Sequence, residues 1–124
     1  MALMELPILN NKHKEATERA RQTYGFRKQI SVVGEELSEL SILCDKYQRF
    51  DSDEKAIQRL REHTLEETAD VLIVLDHLIK IFQITEEDLA PWVDMKIDRL
   101  KRWMSESNSL EQSTVDRSLN GEIE

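Results

Sequence analysis

Apolar residues recur every three or four positions along most of this chain, which is the spacing of helices that bury one side. The first predicted helix follows an asparagine cap at position 10 or 11 and ends near Tyr24, because Gly25 breaks it. The second predicted helix covers residues 26–47. Its apolar positions form one stripe that we expect to face a core: Ile30, Val33, Leu37, Leu40, Cys44 and Tyr47.

Residues 50–53 are predicted to form a turn whose last residues cap the third helix. That helical pattern runs from Asp53 to about Phe82, with an expected interruption near residues 63–64. Residues 71–81 are apolar nearly all round, so they should form the most buried part of the fold. A fourth helix starts near residues 85–88, contains Pro91 close to its beginning, and is expected to end near Met104.

The composition favours helices over sheets. Charged residues make up 34% of the chain and aromatic residues 6%, and there are only three glycines and two prolines. We therefore predict an all-α fold, a helical bundle of four to five helices, with one domain at residues 1–104. Residues 105–124 are rich in serine, asparagine and acidic residues, and are expected to form a disordered tail.

Charge and hydropathy argue against two classes of partner. The net charge is −8 and no basic cluster is large enough to hold a nucleic-acid duplex. The longest apolar run, residues 71–75, is too short to cross a membrane, and the N-terminus does not resemble a signal peptide. The single cysteine, Cys44, cannot form an internal disulfide, so we expect a cytoplasmic protein.

An acidic block occurs twice, as Glu-Glu-Leu-Ser-Glu at residues 35–39 and as Glu-Glu-Thr-Ala-Asp at residues 66–70. The second and fifth residues of each block lie three apart, so they share one face of a helix. Two facing helices would bring four carboxylates close together: Glu36, Glu39, Glu67 and Asp70. Such a cluster is a site for a hard divalent cation, Mg²⁺ or alternatively Mn²⁺. Glu35 and Glu66 point about 100° away and are not expected to be ligands.

Other metal sites fit less well. A di-iron bundle needs Glu-x-x-His on two helices, and no histidine of this chain follows a glutamate by three positions. One cysteine and scattered histidines do not make a zinc site.

Several residues are candidates for contacts with a substrate. Lys96, Arg99 and Arg102 lie at intervals of three on the fourth helix and could face phosphate groups. His77 continues the stripe of the second acidic block, and Gln29 precedes the first block. For His77, packing in the core is the alternative.

These motifs resemble the all-α nucleoside triphosphate pyrophosphohydrolases, which include the MazG-like proteins, the dimeric dUTPases and the phosphoribosyl-ATP pyrophosphohydrolases. The resemblance rests on Glu-x-x-Glu followed by Glu-x-x-Asp, on residues 67–75, and on the later segment at residues 96–102. It implies cleavage of a nucleotide between the α and β phosphates, with Mg²⁺ bound by the four acids. It also implies phosphate contacts from Lys96 and Arg99, and a homodimer or homotetramer around a four-helix core.

The leading hypothesis is a Mg²⁺-dependent enzyme that converts a nucleoside or deoxynucleoside triphosphate to the monophosphate and pyrophosphate, for control of nucleotide pools. Glu36 or Glu39 would accept the proton of the attacking water. Two alternatives remain: a non-catalytic acidic helical dimer that acts as a binding module, and an enzyme of the phosphoribosyl-ATP type.

Overall fold

The computed structural model describes residues 2–49 and 53–119, and the side chains as far as Leu110. These residues form four helices: α1 (Asn11–Tyr24), α2 (Phe26–Arg49), α3 (Glu54–Phe82) and α4 (Glu86–Leu119). The predicted all-α class is confirmed for this part of the chain. Residues 50–52 of the turn expected at residues 50–53 lie outside the described residues. The chain divides into two compact units, Met1–Thr85 and Glu86–Glu124.

The ends of α1 follow the sequence prediction. The Asn10 side chain accepts a hydrogen bond from the His13 backbone N–H at 3.0 Å, and the His13 Nδ1 accepts one from the Asn10 N–H at 3.0 Å. At the other end, Gly25 has a φ of 86° and donates its N–H to the Arg21 carbonyl at 2.9 Å. A residue with a side chain rarely adopts that conformation, so the glycine sets the boundary between α1 and α2.

Helix α3 is continuous, so the expected interruption near His63 is wrong. The Thr64 hydroxyl donates to the Leu60 carbonyl at 2.7 Å, which satisfies this polar side chain within the helix. Asp53 caps the N-terminus, as predicted, by accepting from the N–H groups of Lys55 and Ala56 at 3.1 Å.

The first unit is built on an α2–α3 hairpin, which makes the most extensive helix contact, and α1 packs against both helices. The predicted burial of residues 71–81 is confirmed, since this segment supplies Val71, Val74, Asp76, His77 and Ile79 to the interior. Polar residues from α1 and α2 are buried with them: Thr17, Arg21 and Gln29.

The predicted core stripe of α2 is largely exposed in the single chain. Val33 is buried, but Ile30, Leu37 and Tyr47 are exposed by 36%, 45% and 54%. Gln29 of α2 is buried instead, and half-buried Glu36 meets the acids of α3. Within the first unit, α2 contacts α1 and α3, and the part of its circumference that is exposed in the single chain includes most of the apolar stripe.

The second unit is α4, which is longer than predicted. It begins at Glu86 and continues to Leu119, where the sequence suggested an end near Met104 and a disordered tail from Ser105. No glycine or proline occurs between Ser105 and Leu119, so nothing in the backbone stops a helix that has already formed. Pro91 lies inside the helix, where its nitrogen cannot donate a hydrogen bond.

None of the helices in the described part of the chain combines the length and the apolar character needed to cross a membrane.

Candidate metal centre

Four carboxylates meet between α2 and α3. Glu36, Glu39, Glu67 and Asp70 each offer one oxygen, and these four oxygens lie within 4.8 Å of one another. The order of the two pairs along an antiparallel hairpin sets Glu36 beside Asp70 and Glu39 beside Glu67. The sequence repeat thus produces one cluster from two separate helices, as expected.

Burial leaves two of these carboxylates without adequate partners. Glu36, Glu67 and Asp70 are half-buried, whereas Glu39 is exposed. The Oε2 atoms of Glu36 and Glu67 are buried and have no hydrogen-bond partner among the described residues. Unsatisfied carboxylate oxygens are costly away from water, and a bound cation is one way to satisfy them.

The same crowding changes the acid strength of the cluster. Burial, followed by the negative charges of Asp70 and Glu39, raises the pKa of Glu36 to about 7. Burial also raises the pKa of Glu67, and the neighbouring Glu39 carboxylate adds to the shift. Near neutral pH the protein therefore holds these negative charges at a cost that a cation would remove.

The donors suit a hard cation. All four are carboxylate oxygens, the ligands preferred by Mg²⁺ and also suited to Mn²⁺. Mg²⁺–oxygen distances are about 2.0–2.1 Å, so ligands on opposite sides of an ion are about 4 Å apart, compatible with the spread of the cluster. Glu35 and Glu66 are exposed and outside the set, in agreement with their predicted direction.

Two predicted substrate residues lie in the interior. His77 is 3% exposed, and its Nδ1 lies 3.1 Å from Nη1 of Arg21. Gln29 is 6% exposed and lies in α2. The alternative reading of His77, a packed and hydrogen-bonded histidine, therefore describes its surroundings.

A buried charged network joins α1 to α3, and sequence reasoning missed its α1 members. Asp76 is fully buried and accepts a hydrogen bond from the Thr17 hydroxyl at 2.9 Å. The Arg21 Nη1 lies 3.7 Å from Asp76 Oδ2, and the Lys80 Nζ lies 3.9 Å from Oδ1. The small residues Thr17 and Ala20 lie three apart and mark a side of α1 suited to close helix contact, but this spacing does not identify the partners on α3.

The three predicted basic residues belong to the second unit. Lys96 and Arg102 are exposed on α4, and Arg99 is half-buried. Because α4 is continuous through this segment, their spacing of three places them toward one side of the helix. Their role toward a substrate stays a prediction.

Comparisons with protein-family models, with curated proteins and with solved structures found no match to this chain.

Proposed function

We propose that this protein is a Mg²⁺-dependent nucleoside triphosphate pyrophosphohydrolase. It would cleave a nucleoside or deoxynucleoside triphosphate between the α and β phosphates, for control of nucleotide pools. The observation that carries the proposal is the group of four carboxylate oxygens within 4.8 Å, supplied by two Glu-x-x-Glu/Asp pairs. The resemblance of these motifs to the all-α pyrophosphohydrolases gives the reaction.

Glu36, Glu39, Glu67 and Asp70 would hold the cation. A bound divalent ion would neutralise the triphosphate and lower the pKa of a water molecule. The acids would also fix the position of the α-phosphorus relative to that water, because they project from two helices packed along their length.

Glu36 or Glu39 would accept the proton of the attacking water. The water oxygen then bonds to the α-phosphorus, and the bond from that phosphorus to the oxygen that bridges the α and β phosphates breaks. The β and γ phosphates leave together as pyrophosphate. Glu39 is the exposed member of the cluster and is thus open to solvent water. Lys96, Arg99 and Arg102 would stabilise the charge that develops on the leaving group.

We also propose that the chain acts as a homodimer or homotetramer. The exposed apolar residues of α2, among them Leu37 and Tyr47, support this assembly, since a second chain would cover them. Cys44 is a free, exposed thiol, which fits a reducing cytoplasm.

The same apolar residues favour the second candidate, a non-catalytic helical dimer that serves as a binding module. This candidate needs no cation. The phosphoribosyl-ATP type of enzyme has only the resemblance in its support.

The discriminating experiment is incubation with a panel of nucleoside and deoxynucleoside triphosphates and Mg²⁺, with separate detection of pyrophosphate and orthophosphate. We expect pyrophosphate and the monophosphate. Release of orthophosphate would contradict the proposed bond cleavage.

Glu67→Gln should lower turnover at least about 100-fold, because the variant removes one anionic ligand from the cluster. Glu35→Gln is the matched control, since its side chain is exposed and outside the cluster, and it should retain activity. Full activity of Glu67→Gln would remove the metal-site assignment.

A further inference from the structure

A cavity lies between α1 and α3. Its volume is about 380 Å³. It is lined by Leu9, His13, Ala16, Thr17, Ala20, Ile73 and His77. Binding sites for small molecules are commonly of this size, with mostly apolar walls and a few placed polar groups. His13 and Ala16 are exposed, so solvent reaches this cavity from the α1 side.

The Arg21–His77 contact fixes which ring nitrogen of His77 carries a proton. An arginine has only donors, so the 3.1 Å contact between Arg21 Nη1 and His77 Nδ1 requires that Nδ1 accept. The neutral ring then carries its proton on Nε2. Burial lowers the pKa of His77, and the positive charge of Arg21 lowers it further. The negative charge of Asp76 raises the pKa, but by less. His77 is thus a neutral hydrogen-bond donor in the cavity wall.

His13 has the same tautomer for a different reason. Its Nδ1 accepts from the backbone N–H of Asn10 at 3.0 Å, so its Nε2 also carries the proton. Thr17 is already committed, because its hydroxyl donates to Asp76 at 2.9 Å. The two histidines that line the cavity therefore each carry a ring N–H donor on Nε2, among mostly apolar lining residues.

Along α3, the residues that line the cavity follow the acids of the cluster in the sequence. Ile73 lies one turn beyond Asp70, and His77 lies roughly 10 Å along the axis from Asp70 at about 1.5 Å per residue. A ligand that extends from the cluster along α3 would bring its far end to this cavity.

We propose that the cavity between α1 and α3 binds a flat, carbonyl-bearing heterocycle, the base of the nucleotide, with His77 as its specificity-determining donor and Arg21 as the positioning residue for His77. The inference rests on the proposed function for the identity of the ligand. Apolar walls contact the ring faces, and ring N–H groups favour carbonyl oxygens over amino groups.

The test uses the full chain with free nucleosides, which lack phosphate, and without added metal. Titration calorimetry should give saturable binding of cytidine, uridine or guanosine, whose bases bear carbonyl groups, and weaker binding of adenosine, whose base bears none. No saturable binding of any nucleoside would overturn the proposal, as would a preference for adenosine.

Ala16→Trp should fill the cavity from its exposed side and weaken nucleoside binding at least ten-fold. Ala56→Trp is the matched control, because Ala56 lines a separate cavity with Arg59 and His63, and it should bind nucleosides like the wild type. Equal nucleoside affinities of the Ala16→Trp and Ala56→Trp variants would overturn the proposed location of the binding site. These positions are not fully buried, so both variants are expected to fold.

His77→Phe should weaken binding about five- to ten-fold through loss of one hydrogen bond, while His77→Gln should recover part of the affinity because its amide can donate from a similar position. Nitrogen-15 spectra of the wild-type histidines should report an Nε2-protonated His77 at neutral pH, and an Nδ1-protonated ring would overturn the role of Arg21.

The nucleoside measurements separate this inference from the proposed function. Binding of nucleosides without any pyrophosphate release from triphosphates would retain the cavity and reject the enzyme. Equal rates of pyrophosphate release from all triphosphates, without nucleoside binding, would retain the enzyme and reject the cavity.

Discussion

At the residue scale, Glu36 is the acid on which the candidate metal centre can be tested most directly. Its Oε2 is buried without a partner, and three other acids crowd it. A carboxylate in this position must be protonated or bind a cation to avoid the cost of its charge. Protonation and cation binding make the stability of the protein depend on pH in different ways. The role of Glu36 can therefore be tested without knowledge of the substrate.

The pKa of Glu36 rises from an ordinary value of 4.5 to about 7 on folding. Between these values the folded chain binds more protons at Glu36 than the unfolded chain does, so without a divalent cation this residue should make the protein less stable as pH rises from 4.5 to 7. Chemical denaturation in a chelator should reveal a steeper decline in the wild type than in Glu36→Gln, which keeps the raised pKa of Glu67. Mg²⁺ should stabilise the wild type more at pH 8 than at pH 6, because protons and cation compete. A stabilisation by Mg²⁺ that is the same at both pH values would contradict the cluster as its site.

At the scale of elements, two features hold α1 in place: the glycine that ends it and the charged network on its inner side. Gly25 has a φ of 86° and a ψ of 162°, a combination that residues with a side chain rarely adopt. Arg21 neutralises an aspartate that is fully buried in α3. The first feature sets the direction in which the chain leaves α1, and the second sets how α1 packs on α3.

Gly25→Ala should lower the free energy of unfolding by about 1–3 kcal/mol, because the new residue keeps a strained backbone. No heavy atom lies within 4 Å of the added methyl group, so the cost is conformational. Gly34→Ala is the matched control: Gly34 lies within α2, with equally open surroundings, and alanine there should stabilise by about 0.5–1 kcal/mol. Urea denaturation of the two variants checks the opposite signs. Equal effects would refute the account of Gly25.

Arg21→Met should destabilise the protein by about 3–5 kcal/mol, because it leaves buried Asp76 without its arginine partner. Arg19→Met, an exposed change on the same helix, should stay within about 0.5 kcal/mol of the wild type. Adding Asp76→Leu to Arg21→Met should restore much of the loss, since the unpaired charge is then absent. Failure of the second substitution to recover stability would show that Arg21 acts through packing alone.

At the scale of the whole molecule, the single chain leaves much apolar surface uncovered. In the first unit, Leu37 and Tyr47 of α2 are about half exposed, and in the second unit Trp92 and Trp103 of α4 are each 59% exposed. Large exposed side chains in such number are typical of protein interfaces. The proposed oligomer follows from this surface and can be tested independently of activity.

Leu37→Glu should lower the molecular mass in solution, measured by light scattering or sedimentation, because it places a charge in the proposed contact. Ile42→Glu is the control: Ile42 is 54% exposed on the same helix and points about 140° away from Leu37. We expect that variant to keep the wild-type mass. A wild-type mass of one chain would reject the oligomer, and an equal effect of both variants would reject this stripe as its contact.

The sequence by itself determined the helices and the acidic residues that could share a site. Helix starts and stops depend on local backbone chemistry, which is why Asn10, Gly25 and Asp53 identify their boundaries correctly. The three-residue spacing of each acidic pair is likewise a local property of a helix. The end of α4 was missed, because a polar composition indicates poor burial and does not by itself stop a helix.

Only the tertiary structure decided which residues face one another. Periodicity identifies an apolar stripe on α2 but not its partner, and α3 packs on a neighbouring side that includes Glu36. The Arg21–Asp76 pair and the Arg21–His77 contact join residues far apart in the chain, so no local pattern reveals them. Contacts between helices depend on how each is rotated about its axis, and that rotation is fixed by the packing of the whole unit.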